Sequence, residues 1–351
     1  MQTIAILYQD KLPPIKDGIQ KPIKPGGYSD SGADIAYELK KNGINIVTPV
    51  SNPDIKNDFD WVFPDTKKGI QSALDKGANT LWLNTVLYKN HDIESFFNRN
   101  IQFIGQVPNE VDIYDDKYFT NEFLRINKIA IPKTKLISIE NLTDYSLDID
   151  FPMIVKPIRG RGSQGVSLVK NQKELDDKLN DIFTSKTYGN MVYVEQFLSG
   201  QEITVTVMPS GNYLIDNEEK TFKSPWSLPA VKRFNHKDGV APYNGIVAVM
   251  KNSLVLENSE LNSEKIITVY RQCEKAGALL NIKAPIRIDC RADKSGNYFL
   301  FDLNMKPNMT GPSRPHRQNQ DSLTLLASIK IGWNYIDLLK NMLKQTWKAN
   351  C

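Results

Sequence analysis

Three cysteines and three histidines are all that this chain of 351 residues holds of the side chains that most often bind transition metals. Cys273, Cys290 and Cys351 are far apart and odd in number, which argues against a disulfide framework or zinc cluster and for free thiols in a reducing compartment. His91, His236 and His316 show no metal-ligand spacing. No apolar run is long enough to cross a bilayer, and "MQTIAILYQDK" lacks the charged lead and sustained apolar run of a secretory signal. The expected location is the cytoplasm, with no membrane partner. The formal charge of +4 is small for the length, so a dedicated nucleic-acid binder with a strong basic stripe is not expected either. There is no internal repeat and no low-complexity tract. What remains is an ordinary globular composition, 40% hydrophobic and 24% charged, able to bury a sizeable core in two or three domains.

The first third alternates strand and helix. "TIAILY" reads as a buried strand, "SDSGADIAYELKKNG" as a helix with Ala33, Ala36, Tyr37 and Leu39 on one face and Gly43 closing it, and "INIVTP" as the next strand. "DWVFPD", "TLWLNTV" and "FIGQ" supply further short strands. Such β-α-β alternation implies a parallel sheet. A helix and strand in "DDKYFTNEFLRINKIAIPKTKLI" follow, then the helix "QKELDDKLNDIFTS" and the strand "MVYVEQFL". Beyond these lie the strand "QEITVTVM", a long polar stretch from about 215 to 245, the helix "SEKIITVYRQCEKAGALL", two adjacent strands, and an amphipathic helix around 321 to 345. In that last helix Trp333, Ile336, Leu339 and Leu343 form a core stripe.

Within "VKPIRGRGSQGVSLV", Gly160, Gly162 and Gly165 spell G-x-G-x-x-G. A dinucleotide-binding turn would follow a strand and open a helix. Here "FPMIVKPI" and "VSLV" flank the glycines, which reads as strand, loop, strand. A glycine hairpin can fold over phosphates because no Cβ blocks the approach of backbone N–H groups. A protein kinase is excluded: its lysine follows the glycines and H-R-D and D-F-G come after, whereas Lys156 precedes the loop and neither tripeptide occurs.

The late strands carry the sharpest pattern. In "PIRIDCRAD" alternation puts Arg287 and Asp289 on one face, with Ile286, Ile288 and Cys290 on the other. In "NYFLFDLNMKP" it pairs Asp302 with Asn304 and turns Phe299, Phe301 and Leu303 away. Two carboxylates and an amide oxygen side by side suit Mg²⁺, which favours one or two carboxylates plus substrate phosphates and water. Either strand alone reads as an exposed edge with acids in solvent; together, beside an arginine, they read as a site.

The order of "DDKYFTNEFLRINKIAIPKT", "MIVKPIRGRGSQGVSLV", "VEQFLSGQEITV" and "RIDCRADKSGNYFLFDLNMKPNMT" resembles the ATP-grasp superfamily, and most its D-alanine–D-alanine ligase branch, over about residues 115 to 345. The resemblance implies an α/β chain, α+β in part. Its divisions are an N-terminal parallel βαβ domain (1–112), a central lid subdomain with the glycine hairpin (113–200) and a C-terminal sheet carrying the metal site (201–351). It implies ATP and Mg²⁺ as cofactors, with Mn²⁺ able to substitute, small carboxylate and amine substrates, and a homodimer. Carried over residue by residue, Lys117 and Lys156 contact phosphates, and Gly162, Ser163 and Gln164 form the lid tip. Glu195, Gln196, Phe197 and Leu198 make the adenine-facing hinge, Glu202 the ribose acid, and Lys220 the lysine for the terminal phosphate. Asp289, Asp302 and Asn304 match the metal ligands, and Arg287 the arginine at the acyl-transfer centre. The implied activity is amide-bond formation through an acyl phosphate. A phosphotransferase, or a regulator that binds MgATP without turnover, are the alternatives.

Four departures bear on the site and its substrate. Asp302 stands where the branch more often has glutamate, and Asn308 where it has a glycine; asparagine tolerates positive φ better than most residues. "GPSRPHRQ" brings Ser313, Arg314, His316 and Arg317 near the acceptor position, as an anion-binding loop or as a solvated basic turn. "QDKLPPIKDGIQKPIKPGGYSDSG" is a long Lys- and Pro-rich insertion, either a substrate-covering loop or a surface excursion. The substrate expected is an amino acid or other small carboxylate, with D-alanine not required.

Overall fold

The computed structural model describes residues 2–142, 144–160, 164–236 and 249–349. Four strands, Ile4–Tyr8, Phe63–Pro64, Thr80–Trp82 and Gln102–Ile104, form a parallel sheet with Ile4–Tyr8 and Thr80–Trp82 in the middle. Ile4–Tyr8 is apolar throughout because both its faces are covered. Ala5 and Leu7 join one core cluster and Ile4 and Ile6 the other, which also takes Ala33, Ile35, Ala36 and Leu39 from the helix Ser29–Lys41. That helix ends as its sequence requires: Asn42 Nδ2 donates to Glu38 O at 2.8 Å, and Gly43 follows at φ 76. "INIVTP" does not become a strand; it contributes a single bridge, Ile4 to Ile46.

The central sheet is antiparallel, in the order Thr134–Ser138, Met191–Gln196, Met153–Pro157, Ser167–Val169. Met153–Pro157 and Ser167–Val169 are the two arms of the glycine hairpin, with Met153 opposite Val169. The helix Gln172–Ser185 starts on an Asn171 cap that accepts from Glu174 N at 3.0 Å. Leu175, Leu179, Ile182 and Phe183, at helical spacing, bury one face of it against Ile137, Val155, Val192 and Val194. This region therefore has a core of its own.

The third sheet holds Glu202–Met208 at its centre, with Ile286–Ala292 on one side and Val231–Arg233 on the other, and ends on Tyr298–Asn304. Its apolar face, from Ile203, Val205, Ile286 and Ile288, packs on Ile266, Val269 and Cys273 of the helix Glu264–Leu279 and on the N-terminal sheet. Two expectations change here. The polar stretch after 215 is structured in part: Gly211–Ile215 and Glu218–Phe222 make a hairpin. The C-terminal helix is two helices, Leu323–Ile329 and Tyr335–Leu343, separated at Gly332, whose φ of 83 no helix accommodates. Trp333 lies in the break, buried, and its Nε1 donates to Leu214 O at 2.8 Å.

The insertion at 10–28 is pinned. Lys11 pairs with Asp92 at 2.6 Å, Lys16 with Asp112, and Lys21 with Asp115 at 2.5 Å. Asp17 reaches Arg159, just before the glycine loop, at 2.7 Å. It is a strap from the parallel sheet to the lid rather than a surface excursion.

Candidate functional site

A cavity of about 390 Å³ lies where the three sheets meet, and most of the residues singled out in the sequence line it. Lys117 is the first residue of the helix Lys117–Ile126, set by an Asp116 cap that accepts from Phe119 N at 2.8 Å. Its own N–H donates to Ile158 O at 2.9 Å, which ties this helix to the end of the hairpin's first arm. Its ammonium is ion-paired with Asp302. Lys156, almost wholly buried, meets Glu195 Oε1 at 2.5 Å and stands 4.8 Å from the Phe301 ring centroid. Gly160 and Gln164 line the cavity from the hairpin, and Gly165 turns the chain at φ 74 with room for no side chain: a Cβ would lie 2.8 Å from Pro157 Cγ. Gly162 and Ser163 lie outside the described residues.

Charges here are matched in pairs. Burial raises the Asp302 carboxyl, but the Lys117 ammonium, with Lys156 and Arg287 beyond it, more than offsets this and holds the group below its usual range. Burial wins at Glu195 and keeps that carboxyl raised despite Lys156. Glu195 Oε2 and Glu202 Oε1 are buried with no hydrogen-bond partner among the described residues. Such acceptors are costly unless a donor arrives, and a ligand hydroxyl or amino group is a donor of the required kind. Glu202 Oε2 takes His236 Nε2 at 2.9 Å, with Arg291 Nη1 3.7 Å away. Gln196 and Leu198 line the cavity, whereas Phe197 does not; it stacks under Arg291, 4.9 Å from the guanidinium carbon.

The oxygen-rich strands are neighbours, with Arg287 opposite Asn304 and Asp289 opposite Asp302. Arg287, Asp302 and Asn304 reach the cavity. Asp289 does not: Oδ1 accepts from Thr204 at 2.6 Å and Oδ2 from Arg287 at 3.2 Å, so it sits behind the wall and steadies the arginine. Among the described residues no group of three His, Cys, Asp or Glu is arranged to hold a metal. Asp302 and Asn304 offer two hard oxygen-bearing groups instead, a set that fits Mg²⁺ sharing its shell with phosphate oxygens.

Five further expected residues are placed elsewhere. Lys220 stands opposite Tyr213 on the hairpin, 3.8 Å from Asp216, and does not line the cavity. Arg314 is wholly buried and its donors are spent on the protein: Nε on Asp34 at 3.0 Å, Nη1 on Asp58 at 2.6 Å and on Ile55 O, and Nη2 on Asp30 O. Ser313 Oγ and Arg317 Nε also bond Asp34, at 3.0 and 2.9 Å, while His316 is exposed away from the cavity. The basic loop is thus a clamp on a buried aspartate. Asn308 does line the cavity, and it is not among the positive-φ residues, so replacing glycine there required no special backbone.

Several further residues line the cavity. Phe301, assigned to the far face by alternation, reaches the cavity because the strand pair shifts register between Asp289 and Cys290. Lys21, Tyr28, Asn84 and Lys306 line the end built with the parallel sheet. Cys273 and Cys290, far apart in sequence, bring their sulfurs to 3.7 Å in the core; burial pushes the Cys290 thiol well up, which suits packing and not nucleophilic attack.

A glycine hairpin on one antiparallel sheet, a second antiparallel sheet presenting acids, and a nucleotide-sized cavity between them define an ATP-grasp protein. The family model described as "D-ala D-ala ligase C-terminus" matches residues 120–344, and the chain belongs to that family. A D-alanine–D-alanine ligase of Francisella philomiragia is 24% identical over 245 residues, 70% of this chain and 71% of the relative. The carbamoyl phosphate synthase large chain of Clostridium botulinum is 24% identical over 78% of this chain but only 24% of its own length. Among solved structures, the Bacillus anthracis D-alanine–D-alanine ligase superposes with a TM-score of 0.67 at 18% identity, covering 98% of this chain and 97% of that one. The VanG D-Ala:D-Ser ligase of Enterococcus faecalis gives 0.62 at 13%, covering 97% and 98%. These likenesses establish the shared fold. No described helix is long and apolar enough to cross a membrane.

Proposed function

We propose that the chain is an ADP-forming ligase that joins a small carboxylate to an amine. The carboxylate attacks the γ-phosphorus of ATP, the bond to the β–γ bridging oxygen breaks, and ADP leaves an acyl phosphate; the amine then attacks the acyl carbon and expels phosphate, losing a proton. The observation that carries this reading is the convergence of Lys117, Lys156, Asp302, Asn304 and Arg287 on one cavity under the glycine hairpin. Phosphoryl transfer needs positioning and neutralisation more than covalent catalysis, and two lysines with backbone N–H groups serve that need. Glu202 Oε1 is an acceptor for a ribose hydroxyl and Glu195 Oε2 for the adenine amino group, each left buried for such a donor. Mg²⁺, held by Asp302 and Asn304, would supply charge neutralisation to the phosphates. Arg287, held by Asp289, is the group for the oxyanion that develops at the acyl carbon. A closed hairpin keeps water from the acyl phosphate.

The test is release of ADP and phosphate from MgATP against single and paired amino acids and other carboxylates, with mass analysis. Two-substrate dependence with free phosphate and a product lighter by one water supports the ligase. ADP with a stable phosphorylated product and no phosphate would make it a phosphotransferase.

A further inference from the structure

Lys306 is positioned by the parallel sheet's end of the molecule rather than by its own strand. Its Nζ lies 3.6 Å from the Tyr28 ring centroid and donates to Asn84 Oδ1 at 3.2 Å. Asn84 is buried and its amide is oriented by two further bonds, Nδ2 donating to Tyr28 O at 2.9 Å and Ser31 Oγ at 3.2 Å. Its carbonyl oxygen is thereby turned to the lysine. Tyr28 is fixed in turn by the turn Pro25–Tyr28, in which Gly26, Gly27 and Tyr28 all take positive φ. Gly27 admits nothing larger, since a Cβ would fall 1.8 Å from Gln9 O. The turn sets the ring, and ring and amide together set the ammonium.

Tyr28, Asn84 and Lys306 all line the cavity, and Lys21 enters it from the strap. Six cationic side chains (Lys21, Lys117, Lys156, Arg287, Arg291, Lys306) line it against four carboxylates (Asp115, Glu195, Glu202, Asp302). Lys117 and Lys156 are held at the nucleotide side by Asp302 and Glu195. Lys306 is held at the other end, where the residues before the central sheet contribute one lining acid, Asp115, itself bound by Lys21 and by Arg159 at 3.2 Å. A substrate ammonium placed there meets ammonium groups, whereas an anion meets a preset charge-assisted donor.

We propose that Lys306 is a specificity-determining residue that receives an anionic group of the substrate, so that the substrate class is a small acid with a second negative group beyond the carboxylate that is activated. This rests on the ligase reading for which carboxylate reacts, but not for binding. The experiment is calorimetric titration of the full chain, loaded with Mg²⁺ and a non-hydrolysable ATP analogue, with D- and L-alanine and D- and L-aspartate and glutamate. At least one acidic amino acid is expected to bind ten-fold or more tighter than either alanine; Lys306→Met should remove that preference and Lys306→Arg restore part of it, with nucleotide affinity within two-fold in both. Equal or tighter binding of alanine, no binding by any of the acids, or an acid preference that survives Lys306→Met overturns the proposal. ADP release measured in parallel, with MgATP in place of the analogue and with amines added to each acid, reports on the ligase separately: acid-selective binding without turnover would count against the ligase and leave the role of Lys306 standing.

Discussion

Arg314 separates two accounts of the basic loop, since a substrate-binding arginine and a structural one fail differently. Its side chain is wholly buried and contacts two carboxylates, Asp34, itself fully buried, and Asp58, about 29% exposed. Arg314→Met keeps much of the volume and removes the charge. Stripping one partner from a buried ion pair costs about 3–5 kcal/mol. Here Asp34 still keeps Arg317, Ser313 and Thr310, and Asp58 turns to water, so the low end, about 3 kcal/mol, is expected. Asp34→Ala takes their shared carboxylate from two arginines, leaving Arg314 with Asp58 and Arg317 with Asp30, and should cost more, about 5 kcal/mol, a large share of the ~5–15 kcal/mol that holds a typical domain. Urea unfolding of both variants measures this, with the midpoint falling and the slope unchanged. If Arg314→Met unfolds within about 0.5 kcal/mol of the parent while the KM for an amine substrate rises ten-fold, the arginine faces substrate and the clamp is wrong.

Asp302→Asn should abolish turnover while leaving the fold intact, as read by circular dichroism beside the ADP assay; normal activity would remove Asp302 from the metal set. The same variant bears on pH. The Asp302 pKa is lowered in the folded chain, so its pairing contributes stability in full above the ordinary value of 3.8 and loses it as pH falls below that value. Asp302→Asn should flatten the acid side of the stability curve there, and an unchanged curve would refute the pairing. Lys156→Met removes a charge-assisted contact of about 1.5–3 kcal/mol and should raise the KM for ATP about 10- to 100-fold with little change in the KM of the carboxylate. Gly165→Ala forces a side chain into the left-handed region against Pro157 and Tyr188, at about 1–2 kcal/mol; a 5- to 30-fold weaker ATP affinity by titration is expected, and unchanged affinity would mean the hairpin tip does not bear on nucleotide.

Sequence pattern carried far wherever the signal was local. Ile4–Tyr8, the hairpin arms and the helix Gln172–Ser185 were legible because apolar periodicity, glycine placement and caps lie within a few residues of what they determine. Alternation put Asp302 and Asn304 on one face, but it carries neither the register of the two strands nor the shift between Asp289 and Cys290, and so Phe301 was assigned to the wrong face. The single helix expected around 321 to 345 spanned Gly332 because Trp333 is buried in the break as well as it would be on a helix. Arg314 was opaque for another reason: its partner Asp34 lies 280 positions away on a helix read for its apolar face, and nothing near Arg314 says that an acid will meet it. Lys306 is the same case: Tyr28 belongs to an insertion legible as a possible substrate-covering loop, but nothing near Lys306 says that its ammonium will meet that ring.

The strap at 10–28 turns this enclosure into something the solvent can tune. Lys11, Lys16 and Asp17 hold it through partly exposed ion pairs to Asp92, Asp112 and Arg159, each worth about 0.2–1 kcal/mol. Asp17 grips the arginine at the root of the glycine loop, which couples the strap to the hairpin. Ions at physiological strength screen such contacts beyond about 8 Å and higher salt screens them more closely. Salt is then expected to act first on the strap and on the release of ligands past it, while the buried Lys156–Glu195 pair is screened far less.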